Sequence, residues 1–167
     1  MRAPAIALML SVALGGTAIA AAAGQTPAAA LALTSVQSGH EQAAAQVAAK
    51  RALVPSIREL AARIADDSAS LRQRVLEFAA SRQLKLDAAN GAPLALHDRQ
   101  GPAFDRAYMA AMVESHKAVL TALKPYTEAK DTDLARMARE SSAVLNGHLE
   151  SAMAIRERLA SLGIKTD

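Results

Sequence analysis

Nine positions between residues 134 and 162 constrain this chain most. Leu134, Met137, Ser141, Leu145, His148, Ala152, Ile155, Leu159 and Leu162 recur at steps of three and four. At 3.6 residues per turn, that spacing lines one face of a helix and no face of a strand. A long helix with one apolar stripe must bury it, and other helices are the simplest cover. Two more stripes are present. Ile57, Leu60, Ile64, Leu71, Val75 and Phe78 predict a helix over 55–84, opened by Pro55 in its first turn. Phe104, Tyr108, Met112, Val119 and Leu123 predict another from near Ala103, which Pro125 kinks or ends. Asp131 or Thr132 caps the last helix, and Gly163 stops it. Ser38-Gly39-His40-Glu41 matches a capping box and predicts a short first helix over 38–53. Asn90-Gly91, Pro93 and Gly101-Pro102 make 85–101 a loop. The expected fold is all-α: an antiparallel four-helix bundle over 35–163 with a short first helix, preceded by a linker over 24–34.

Composition narrows the function. Alanine fills 42 of 167 positions, which favours helix and lets helices approach closely. No cysteine is present, so thiolate metal sites, disulfides and a cysteine nucleophile are excluded. Arg2, the apolar run 5–14, Gly15-Gly16 and the small residues 18–23 have the layout of a secretory signal peptide. Cleavage after Ala23 is expected, with Ala20 as the other option. The rival reading is a membrane anchor, but the strongly apolar run is short of the ~20 residues a spanning helix needs. The mature chain is then periplasmic or secreted, with no membrane span. It has no concentrated basic face, so nucleic acid is not an expected partner. A protein partner or homo-oligomeric state is not specified by these residues.

The informative residues interrupt the stripes. His148 sits between Leu145 and Ala152, and His116 shares a face with Tyr108 and Met112. Asp67 lies three residues after Ile64 and four before Leu71. Glu41 lies three before Ala44. Counted from the intervening turns at ~1.5 Å per residue, the four fall within one or two helical turns of a common depth. Two imidazoles and two carboxylates at one depth are a candidate set for a divalent transition metal: Glu41, Asp67, His116 and His148. The competing readings are a satisfied buried hydrogen-bonded pair for the histidines, the capping box for Glu41 and a solvated stripe edge for Asp67. His40 and His97 read as surface residues. Met109, Met112 and Met153 are possible thioether donors but read as core filler. A di-iron centre is not expected, because no helix carries Glu-x-x-His. No nucleophile with a base and an oxyanion hole is legible either.

Phe104-Asp105-Arg106-Ala107-Tyr108, followed eight residues later by His116, has a familiar order. With Glu41, the opening Pro55-Ser56-Ile57-Arg58-Glu59-Leu60-Ala61 and His148-Leu149, it resembles an exported bacterial family of ferritin-like helical bundles, domain of unknown function 4142. The resemblance covers roughly 35–159 and implies fold and export without a reaction. The chain departs from that family at Asp66-Asp67, where Asp-His is usual, and at Ala143, where Pro is usual. The missing histidine removes one nitrogen donor and makes any metal site harder.

The export reading has a direct check. N-terminal sequencing of the protein secreted by a Gram-negative host should begin at Gly24 or, failing that, Ala21; an uncleaved Met1 would overturn it.

Overall fold

A computed structural model describes residues 26–86, 96 and 98–163 of the chain. Within them are four helices and one 3-10 turn: α1 Pro27–Arg51, α2 Pro55–Ser81, α3 Gly101–Leu123, the turn Lys124–Tyr126, and α4 Thr132–Ser161. No strand occurs among the described residues. No helix there is long and apolar enough to cross a membrane. The proposed signal segment lies outside the described residues, as does His97.

The first helix differs from expectation. It is not short, and most of the expected linker belongs to it. Thr26 is its N-cap, with Oγ1 accepting from the Ala29 amide at 3.2 Å, and Pro27 fills the first helical position. Proline there loses no helical hydrogen bond, so Thr-Pro starts a helix and not a spacer. Ala30, Leu31 and Ala32 are buried. Ser38 and Glu41 lie deep inside α1, so the capping box does not exist.

Most other boundaries follow the residues that predicted them, although α2 ends at Ser81 and not at 84, and α3 starts at Gly101, which was expected to close the loop. Pro55 opens α2, and α3 stops at Leu123 just before Pro125. Asp131 caps α4 by accepting from the Asp133 and Leu134 amides, each at 3.1 Å. Beyond α4, Gly163 has φ 74°, the left-handed conformation in which glycine carries no side-chain penalty. Arg82, just past α2, holds Asp131 at 2.6 Å and Asp133 at 2.9 Å, joining the end of α2 to the start of α4.

The buried apolar residues form two clusters. The first holds Ala45 and Ala48 of α1, Ile57, Leu60 and Ile64 of α2, Phe104, Tyr108 and Met112 of α3, and Ala152 and Leu159 of α4. The second holds Leu31, Leu71, Val75, Val119, Leu123, Leu134, Met137 and Leu145. Along α1 and α4 the chain meets the second cluster before the first; along α2 and α3 the order is reversed. The α2–α3 connection leaves beside the second cluster, where Leu84 and Leu86 pack, and Leu96 belongs to the first. The α1–α2 pair is the most extensively packed, as the small Ala44, Ala45, Ala48, Ala61 and Ala65 permit. Two residues expected in the core are outside it: Met153, expected as filler, is 61 % exposed, and the stripe position Leu162 is 67 % exposed.

Polar side chains hold the α1–α2 turn, and its amides are bonded from another helix. Val54, the N-cap of α2, offers no capping side chain. Asp105 of α3 does this from across the fold, accepting from the Leu53 amide at 3.0 and 3.1 Å and from the Val54 amide at 3.0 Å. Arg51 stacks over the neighbouring Phe104 at 4.9 Å and donates to the Arg99 carbonyl. Arg58 donates to the carbonyls of Ala52 and Leu53. Phe104-Asp105 is therefore a structural clamp. Replacing a buried charged acceptor leaves two amides unpaired, so Asp105→Ala should cost about 2–3 kcal/mol in urea unfolding. Asp105→Asn should lose less, since its amide oxygen still accepts.

Candidate functional site

Between the two apolar clusters lies a layer of polar side chains contributed by all four helices. Glu41 comes from α1, Asp67 and Ser68 from α2, Ser115 and His116 from α3, and His148 from α4. Each of them falls where its helix passes from one cluster to the other. A carboxylate placed there is removed from water, and that is costly unless donors surround it.

Glu41 has such donors. It is 2 % exposed, and Ser115 Oγ donates to its Oε1 at 2.5 Å while Ser68 Oγ donates to Oε2 at 3.3 Å. His116 Nδ1 stands 3.1 Å from the same Oε1, an ion-pair distance at an approach too oblique for a full hydrogen bond. On its far side, His116 Nε2 meets His148 Nδ1 at 2.9 Å, with the two rings tilted by 56°. The other nitrogen of His148, Nε2, lies 2.9 Å from Asp67 Oδ2. Asp67 ends the series at the surface, its side chain 50 % exposed. The result is one line of contacts, Glu41–His116–His148–Asp67, running from the interior to solvent.

The surroundings act on two of the titrating groups nearby. Burial pushes the His148 pKa down; the hydrogen bond to Asp67 opposes this, and the His116 ring reinforces it. Burial, and then the charge of Glu41, push the Tyr108 phenol well above its usual range. The Tyr108 hydroxyl, Gln37 Oε1 and His40 Nδ1 are enclosed without a hydrogen-bond partner. His40 is thus half-buried rather than a surface residue.

The structure therefore brings all four predicted side chains together, but in series and not around one point. An imidazole's two nitrogens face in different directions, so a contact at each ring nitrogen spreads the partners along a line. Among the described residues no group of three or more histidines and acids is placed to hold a metal ion. Sequence reasoning missed Ser68, Ser115 and the clamp at Asp105. The two serines had a signal: each occupies an apolar stripe, Ser68 between Ile64 and Leu71 and Ser115 between Met112 and Val119. Nothing in the sequence shows that Asp105 reaches Leu53.

The two acids should differ sharply under mutation. Glu41→Ala leaves His116 and two hydroxyls without their acceptor in the interior, and about 3–5 kcal/mol of stability should be lost. Asp67→Ala removes a half-exposed partner and should cost about 1 kcal/mol or less. Paired urea denaturation curves test the contrast; equal losses would contradict the described burial.

The family described as domain of unknown function (DUF4142) matches residues 14–155. No curated protein and no solved structure matches the chain. The polar layer sits inside the matched span, with Glu41, His116 and His148 among the residues that carried the resemblance and Asp67 at a departure from it: the chain belongs to the DUF4142 family.

Proposed function

We propose that this is an exported envelope protein, a ferritin-like antiparallel four-helix bundle that acts through its surface as a structural or interaction module. In this reading Glu41, His116, His148 and Asp67 are the register-setting core of the bundle. The observation that carries it is that the four side chains, one from each helix, occupy one another in series at 2.9–3.1 Å. Each contact is made only at one relative depth of its two helices, so the set favours one alignment over slipped ones. The order in which the helices pass the two apolar clusters supports the ferritin-like arrangement, and a long α2–α3 connection fits it. The charged start, short apolar run and small residues before Gly24 support export.

Metal binding by Glu41, Asp67, His116 and His148 together fits this geometry less well. An ion taking both imidazoles would replace the His116–His148 contact and would have to draw a carboxylate round from the far side of a ring. Melting curves of untagged protein with chelator, Zn²⁺, Cu²⁺ or Ni²⁺ separate the two readings. A site filled at a hundred times its Kd adds about 2.7 kcal/mol. For a chain of this size that is about 5–10 °C in Tm. The structural reading expects changes within about 1 °C, and His116→Ala and His148→Ala destabilised equally with and without metal. A rise of the larger size in the wild type alone would overturn it in favour of a metal site.

A further inference from the structure

The line of contacts has a countable number of protons. Three junctions compose it: Glu41 to His116, His116 to His148, and His148 to Asp67. Both atoms at each junction carry lone pairs, so each junction needs a proton to be attractive. Two neutral imidazoles bring two protons. One junction would then set lone pair against lone pair, at 2.9 Å between the rings or opposite a carboxylate. We propose that the line is a proton-binding site: it holds a third proton on His116 opposite Glu41 and exchanges it with solvent through His148 and Asp67.

Three observations place that proton. Two hydroxyls donate to Glu41, one to each carboxylate oxygen, so both oxygens already act as acceptors and the proton sits on the ring. The charge stays on His116 because its counter-ion Glu41 is enclosed beside it, whereas the partner of His148, Asp67, is half-exposed and shared with water. Asp67 alone among the four reaches water.

Release then runs outward. His116 gives its Nε2 proton to His148 Nδ1, His148 gives its Nε2 proton to Asp67 Oδ2, and Asp67 loses that proton to water. Afterwards His116 keeps its Nδ1 proton toward Glu41, and His148 Nδ1–H donates back to His116 Nε2. The unfilled junction is His148–Asp67, at the half-exposed end where a water molecule supplies the missing donor. Two protons remain from three, and one has left.

The ionisable groups facing the line are Glu41 from α1, Asp67 from α2 and Tyr108 from α3, with His40 beside Glu41 in sequence. On α4, His148 is the member itself. Tyr108 stays protonated, its phenol shifted upward by burial and by Glu41. Arg72 of α2 packs over Gly39 of α1, and Asp66 is exposed.

This inference rests on the same intact line as the proposed function, and one experiment distinguishes the two. Long-range ¹H–¹⁵N spectra of chelator-treated, untagged, full-chain protein read each ring nitrogen. Near neutral pH, His116 should carry protons on both nitrogens and His148 on Nε2 only, with a coupling across the His116–His148 hydrogen bond. Glu41→Gln should lose the His116 Nδ1 proton, because the amide can donate to that nitrogen while its oxygen accepts from Ser68. That variant should also release one proton fewer than wild type between about pH 5 and pH 9. Asp67→Asn should keep the third proton and exchange it with water more slowly. A singly protonated His116 with the inter-ring coupling present overturns this inference and leaves the line intact; absence of the coupling overturns both.

Discussion

A carboxylate in the interior sets the terms for the rest of this fold. Glu41 stands where α1 passes between two apolar clusters, and an ionised group there is tolerable only if donors close around it. Ser68, Ser115 and His116 reach it from two other helices. His148 then has to face His116, and Asp67 has to face His148, because a buried ring nitrogen without a partner is itself unfavourable. The apolar clusters supply the bulk of the attraction but discriminate weakly between one helix alignment and the next. The polar layer supplies the discrimination. It divides the core into two apolar parts, and in the proposed reading it opposes the sliding of one helix past another.

The same division of labour recurs at the ends of the helices. Arg82 joins the close of α2 to the opening of α4, and Asp105 of α3 completes the opening of α2. The first is exposed and contributes little on its own. The second is buried and bonds main-chain amides that have no other acceptor, which makes it the stronger constraint.

Much of this was legible in the sequence, for physical reasons that can be named. The stripes of α2, α3 and α4 were visible because large apolar residues alternate with charges at helical spacing. Their boundaries were visible because Pro55, Pro125, Asp131 and Gly163 have steric or capping roles that do not depend on context. Helix α1 was misjudged because alanine is nearly neutral in hydropathy. A helix of small residues has almost no stripe to read, so the Ser38–Glu41 spacing imitated a beginning where the helix was already several turns old. The four ionisable residues were identified by their interruption of the stripes, and their common depth followed from counting residues. Whether they converge on a point or form a line depends on ring orientation, which one-dimensional spacing does not encode. Ser115 and Ser68 were passed over because a small hydroxyl fits a helix stripe without protest.

The borrowed cap of α2 bears on how the chain assembles. Asp105 lies 51 and 52 positions beyond the amides it accepts, on the far side of the α2–α3 connection. An α1–α2 hairpin emerging first from a ribosome or a translocation pore would lack the acceptor for its own turn. It would gain full order only once the third helix arrived to supply it. The α1–α2 hairpin is therefore not self-sufficient at its turn: one carboxylate from beyond the long connection ties the two halves of the chain together.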